Sequence, residues 1–178
     1  MCPLTSEAST TDGQAGESAT TLDLLLGGRV RLLQPKRGYR AAIDPVLLAA
    51  AVGARPGERV LDAGCGTGSA SLCLAVRCPD VLVTGLERDR TTLELARASV
   101  ALAGLEGRVQ LVEGDLSAPP PELRRTAFDW VASNPPFLEP ARARKPDEPG
   151  RAAARLESTD LCRWVEACLA RLAPHGRL

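Results

Sequence analysis

From Arg59 onward one phrase repeats along the chain: a short apolar run, a turn, then a stretch with helical spacing. VLDAG at residues 60–64 precedes a helical stretch over 69–76, VLVTGLE at 81–87 precedes another over 91–103, and VQLV at 109–112 and FDWVA at 128–132 continue the series. Strands joined through a helix return to the same end of the sheet, so they run parallel, and right-handed crossovers place helices on both faces. The alternation therefore predicts a doubly wound, mostly parallel α/β sheet.

The flanks are different. Residues 1–20, rich in Ser, Thr, Ala and Gly, show no apolar period and read as a disordered tail. LDLLL at 22–26, Gly27-Gly28 and RVRLL at 29–33 read as a short N-terminal β-hairpin. Asp44 followed by Pro45 reads as an N-cap with proline at the first helical position, opening a helix over 46–52. Residues 139–150 form a polar, proline-rich loop, and Ser158 or Thr159 can cap a last helix over 161–172 whose Leu161, Val165, Cys168, Leu169 and Leu172 share a face. Pro174, His175 and Gly176 read as a turn before the beginning of a further strand, so the sheet is expected to lack its C-terminal strands.

Composition excludes several function classes. The 22 basic and 22 acidic residues balance, so overall charge does not point to nucleic acid, and only local clusters can. Six cysteines without a C-x-x-C pair, and the single histidine His175, offer little for a zinc site; no metal is expected, and the thiols suit a reducing cytoplasm. No apolar run approaches the roughly 18 residues of a spanning helix, which gives no reason to expect a membrane partner.

The chemistry concentrates at strand ends. Asp62, Gly64, Gly66 and Gly68 form D-x-G-x-G-x-G between a strand and a helix, a loop that allows close backbone approach and offers free helix N–H groups. The spacing is neither the G-x-G-x-x-G of a pyrophosphate binder nor a Walker loop, and Asp62 standing in the turn would repel a diphosphate but attract an ammonium group. Glu87 ends the second strand, where a carboxylate accepts from both hydroxyls of a ribose. After the third strand, Asp115 can accept from an exocyclic amine and the Leu116 N–H can serve a ring nitrogen. Amino acid moiety, ribose and adenine together describe S-adenosyl-L-methionine. After the fourth strand comes SNPPF at 133–137, a rigid turn because each proline fixes φ and removes a donor. Asp89 reads as a cap of the helix after Glu87, and Trp130 and Trp164 read as core.

With these residues in view, the chain resembles the class I S-adenosylmethionine-dependent methyltransferases, which have a Rossmann-like fold. Asn134, Pro135, Pro136 and Phe137 match the [DNS]-P-P-[YFW] motif of those that methylate an amino group conjugated to a π system, and QPKRGYRAAIDPVLLAA at 34–50 resembles the corresponding region of the tRNA (valine) adenine-N6 methyltransferases. The resemblance implies a methyltransferase domain over 21–178. It implies that Asn134 Oδ1 and the Pro135 carbonyl accept from the target amine, that Phe137 stacks on the base, and that the substrate is N6 of adenine in tRNA. Asp44 would help close over the cofactor or simply cap its helix, and Tyr39 and Arg40 are further candidates, set against a packed ring and a solvated charge. Arg29, Arg31, Lys36, Arg37 and Arg40, and after the NPPF turn Arg142, Arg144 and Lys145, are candidate phosphate contacts, although Asp147 and Glu148 weaken the second cluster and an ordinary solvated surface reads equally well.

Three alternatives stay open. A protein-glutamine N5 methyltransferase of release factors uses the same turn, usually with Tyr in last place and a helical N-terminal domain. A nicotinamide-dependent oxidoreductase is disfavoured by the glycine spacing and Asp62, and a non-catalytic cofactor-binding fragment would share every cofactor residue. The sequence does not decide the oligomeric state.

Overall fold

A computed structural model describes residues 19–38, 40–135 and 161–178. Five strands, β3 (Arg59–Ala63), β4 (Leu82–Glu87), β5 (Val109–Glu113), β6 (Phe128–Ser133) and β7 (Leu172–Arg177), form one sheet in the order β5-β4-β3-β6-β7, every neighbouring pair parallel. The chain adds β4 and β5 on one side of β3 and β6 and β7 on the other, so the strand order reverses there. A crevice opens at such a reversal, outside the carboxyl ends of the strands.

Both faces are covered. Val60, Val83 and Val109 point to one side, where they pack with Ala49 of α1 (Asp44–Ala51) and its C-cap Val52, Leu72 and Leu74 of α2 (Ser69–Arg77) and Val100 of α3 (Arg90–Leu102). Leu61, Leu86, Val112 and Val131 point to the other, with Leu123 of the short α4 (Pro121–Arg124) and Cys168 of α5 (Leu161–Leu169). Burial on both faces is why these strands read as near-continuous apolar runs rather than alternating ones. The predicted doubly wound α/β fold is therefore the fold observed.

The hairpin is also present, formed by β1 (Thr20–Leu25) and β2 (Val30–Pro35) with the turn Leu26–Gly28 between them. Leu26, Gly27 and Gly28 all have positive φ (50°, 65° and 89°), which two glycines accommodate without strain. Buried Val30 and Leu32 join the core of the α1–α3 side, and the Leu33 N–H donates to Ser99 Oγ of α3 at 2.9 Å. Strand β1 begins at Thr20, two residues before the apolar run, because Thr20 and Thr21 extend the ladder to Pro35 and Gln34.

Two boundaries differ from expectation. The N-cap of α1 is Ile43, and Asp44 lies inside the first turn with no side-chain cap bond, since the Val46 and Leu47 N–H groups already donate to the Ile43 carbonyl. At the other end, α5 stops at Leu169 and the expected turn is part of strand β7. Leu172 pairs with Phe128 and Arg177 with Trp130, five steps along β7 against two along β6, so the excess residues bulge out of the ladder. His175 takes φ 66° in that bulge, and Pro174 is tolerated because β7 is the sheet's edge. The sheet thus has a strand where missing C-terminal strands were expected to begin. The tail over residues 1–18, Tyr39 and the polar loop with its helix cap lie outside the described residues.

Candidate active site

The register of the sheet brings the predicted site residues to one edge. Ser133 pairs with Ala63, Ala63 with Leu86, and Leu86 with Val112, so these four form one row. One step on, Glu87 pairs with Glu113, while Asn134 and Gly64 directly follow the last paired residues of β6 and β3. Neighbouring strands lie roughly 4.8 Å apart, which puts Ser133, the residue before Asn134, about 10 Å from Leu86, the residue before Glu87. Pro136 and Phe137 lie outside the described residues.

The glycine loop is held from below by β4. The Gly64 and Cys65 N–H groups both donate to the Leu86 carbonyl (2.9 and 3.0 Å), and the Gly66 N–H donates to Glu87 Oε2 at 3.0 Å. Gly64, Gly66 and Gly68 have φ of 75°, 58° and 82°, a conformation costing other residues about 1–2 kcal/mol. Gly68 is the N-cap of α2, so the loop delivers the chain into a helix start whose first N–H groups need outside partners. Glu87 is oriented by the same contacts: its Oε1 accepts from the Asp89 N–H at 2.8 Å. Asp89 in turn caps α3 through the Thr92 N–H, as its position suggested.

Asp62 is placed differently from expectation. It belongs to β3 rather than to the turn, between Gly85 and Ala132, and is 2% exposed. Its side chain faces α2, where Ser71 Oγ donates to Oδ2 at 2.6 Å. Burial, opposed by that hydrogen bond and reinforced by the nearby Glu87 charge, raises its pKa from the ordinary 3.8 to about 6. It is an anion under the loop, not a group at the surface.

On the far side, Asp115 Oδ1 accepts from both the N–H and the hydroxyl of Ser117 (2.7 and 2.6 Å), which lowers its pKa. Leu116 is buried with Leu86 and Val112 and anchors that turn against the sheet. Asp44 approaches from another direction. α1 runs opposite to the strands: Leu48 lines a cavity together with Pro135, while Gly53, just past the helix, lies against the Trp130 ring. Asp44 is one turn before Leu48, so it stands at the same end of the sheet as Asn134, exposed.

Arg40 is engaged elsewhere. Its guanidinium pairs with Asp23 at 2.6 Å and donates to Thr21 Oγ1 and the Pro35 carbonyl (both 2.8 Å), while Gln34 Oε1 receives the Ala41 N–H at 2.7 Å. It therefore ties the segment before α1 to the hairpin and is withdrawn from the basic cluster. Arg29 donates to the Val76 carbonyl, and Arg31, Lys36 and Arg37 are exposed.

Comparison with known proteins decides the family. The family model described as methyltransferase small domain matches residues 42–146, from just before Asp44 to just beyond the NPPF turn. The chain belongs to this family. A tRNA1(Val) (adenine(37)-N6)-methyltransferase of Porphyromonas gingivalis is 34% identical over 145 residues, 78% of this chain and 56% of that protein. One from Aeromonas salmonicida is 31% identical over 78% of this chain and 57% of that protein. The chain spans little more than half the length of these curated relatives. Among solved structures, an S-adenosylmethionine-dependent methyltransferase from Agrobacterium tumefaciens has the same fold with a TM-score of 0.59 and 22% identity, over 92% of this chain and 52% of that one.

The structure also brings two residues to this end of the sheet that the sequence analysis did not assign to the site. Ser133 Oγ donates to the Ala63 carbonyl at 2.8 Å and accepts from Trp164 Nε1 at 2.9 Å. Trp164 lies on α5, and its ring touches the loop: a Cβ at Gly64 would sit 3.3 Å from it. Nothing in the periodicity of α5 distinguishes Trp164 from a core residue, because its role depends on which strand end the helix crosses. Among the described residues no metal-binding cluster occurs, and no helix is long and apolar enough to cross a membrane.

Proposed function

We propose that this chain transfers the methyl group of S-adenosyl-L-methionine to an exocyclic amino nitrogen, N6 of adenine in tRNA, and that residues 21–178 constitute the methyltransferase domain. The observation that carries this reading is the row Ser133, Ala63 and Leu86 on adjacent parallel strands, directly after which come Asn134 and Pro135, the glycine loop and Glu87. The residues fit the cofactor. Gly64, Gly66 and Gly68 leave a backbone surface without side chains, and Glu87, fixed by two N–H groups, presents its remaining lone pairs to a ribose. Asp115, with Ser117 on Oδ1, keeps Oδ2 for an adenine amine, beside the Leu116 N–H. The Asp62 anion beneath the loop favours a cationic amino acid tail above it, and Asp44 closes the same end from α1.

When bound, S-adenosylmethionine supplies an electrophilic methyl on a sulfonium. The chain's own task is to orient the nucleophile. Asn134 Oδ1 and the Pro135 carbonyl accept the two amino hydrogens, which favours a pyramidal nitrogen whose lone pair points away from the ring and toward the donor pocket. Phe137 provides the stacking surface for a base turned out of its loop. No strong base is required beforehand, because the amine proton becomes acidic only after the carbon–nitrogen bond forms. The only histidine, His175, is level with the Phe128–Trp130 segment of β6, roughly 13 Å of strand before Asn134. The relatives named as tRNA1(Val) (adenine(37)-N6)-methyltransferases support tRNA as the substrate, and exposed Arg31 of β2 and Arg37 just after it suit its phosphates. Buried thiols at Cys65, Cys73, Cys78 and Cys168 suit the cytoplasm.

The test is nucleoside analysis of unmodified tRNA incubated with the chain and S-adenosylmethionine. N6-methyladenosine is the expected product. Labelled methyl found only in a release factor would move the assignment to a glutamine amide, and none in either would remove it.

A further inference from the structure

We infer that Trp164 is a positioning residue that sets the gap between the glycine loop and the acceptor turn. The inference rests on the methyl-transfer reading above and adds a component to it. Three contacts carry the argument. The indole N–H donates to Ser133 Oγ at 2.9 Å, and that hydroxyl donates onward to the Ala63 carbonyl at 2.8 Å, so one chain of hydrogen bonds runs from α5 through β6 to β3. The ring edge occupies the space that a Cβ on Gly64 would enter, at 3.3 Å. The same ring and Pro135 line one apolar cavity of about 350 Å³. Trp164 therefore bonds the residue immediately before Asn134 at the end of one strand and lies against the first glycine of the loop at the end of the next, with Pro135 across a shared cavity.

Simple packing of α5 does not demand this arrangement. The helix is shallowly attached: Leu161 is 51% and Leu169 52% exposed, and Trp164, Ala167 and Cys168 make its contact with the core. An indole needed only for area would serve with its N–H in water. Here the N–H is directed at a strand-end hydroxyl one residue from the amide that holds the substrate. Reacting atoms must be held near 3–3.5 Å, and a misplacement of about 1 Å costs up to 100-fold in rate, so a rigid spacer between donor and acceptor halves has direct kinetic value.

The experiment compares W164F, which keeps the ring and loses the donor, with S133A and S133T. Methyl transfer to tRNA, calorimetric titration with S-adenosylhomocysteine, and ¹⁵N spectra of the indole N–H groups are measured on each. The chain has two tryptophans, so the second indole signal is a direct internal reference. W164F and S133A are expected to lower kcat about tenfold or more while the S-adenosylhomocysteine Kd stays within about threefold, and S133T restores the rate. S133A is also expected to move the Trp164 indole resonance and leave that of Trp130 in place. Unchanged kcat in both variants, or a loss of cofactor affinity parallel to the loss of rate, would overturn the inference. If the wild-type chain transfers no methyl, the failure belongs to the proposed function, and the resonance arm still decides the clasp: an unmoved Trp164 signal in S133A rejects it.

Discussion

The two ends of the central strands use similar residues for opposite purposes. At the amino end of β3 and β6, Glu58 Oε2 accepts from Trp130 Nε1 (3.1 Å) and from the Arg55 N–H (2.8 Å), and Asp129 accepts from the Arg59 N–H at 2.8 Å. Arg59 lies over the Phe128 ring at 5.4 Å and Arg177 over Trp130 at 5.3 Å. These polar groups tie β6 to the start of β3. At the carboxyl end, Glu87 and Asp115 hold only loops, Gly64 and its companions remove side chains, and Asn134 directly follows the last residue of its strand. The difference teaches that direction along a parallel strand, more than residue type, separates structure from function: helix starts and loops gather at the carboxyl ends, and a ligand meets N–H groups there.

Substitutions that break one end should leave the other intact. The largest expected effect is at Asn134. N134A removes one of two preorganised acceptors and should lower kcat by about 10²–10³-fold, with thermal unfolding unchanged, as measured by methyl incorporation and calorimetric melting. Next is Asp62, where stability and binding are expected to move oppositely. A buried carboxyl whose pKa rises from 3.8 to about 6 costs roughly 3 kcal/mol of stability once ionised. The folded state binds that proton more tightly than the unfolded state, so stability falls as pH rises from about 4 to about 6 and the cost persists above. D62N, which still accepts from Ser71, should therefore unfold at higher denaturant than wild type at pH 7.5, lose that advantage toward pH 4, and bind S-adenosylhomocysteine more weakly.

A smaller effect is expected at Gly64. G64A places a Cβ 3.3 Å from the Trp164 ring at φ 75°, which should cost about 1–2 kcal/mol in urea unfolding and shift the Trp164 fluorescence. The smallest is at the amino end. W130F loses the bond to Glu58, which still accepts from Arg55, so about 1 kcal/mol of stability should be lost with kcat unchanged. A fall in kcat for W130F comparable to that of W164F would erase the contrast between the ends.

Much of this was legible in the sequence, for physical reasons that can be named. Strand ends could be read because an apolar run buried on both faces stops where a glycine or proline turn begins, which located Gly64, Glu87 and Asn134 on the correct side of the sheet. Side-chain direction could not. Asp62 lies one step inside its strand, and period two then turns it to α2 and Ser71. Arg40 looked like a solvated cation because its partners, Asp23 and Thr21, come from a strand 17 and 19 residues earlier. Pro174 and His175 read as a turn because a bulge on an edge strand uses the same residues. Trp164 was invisible as a site residue since its helix is placed by a crossover whose landing point the local sequence does not encode.

The central claim is that the carboxyl ends of β3 and β4 bind the cofactor while the end of β6 binds the amine. Calorimetric titration of S-adenosylhomocysteine into wild type, N134A and E87A tests this directly. The account predicts one equivalent bound with similar affinity by wild type and N134A, and a loss of at least about 10-fold in E87A, where two charge-assisted acceptors of the ribose disappear. Absence of binding to the wild-type chain, or equal weakening in N134A and E87A, would contradict it.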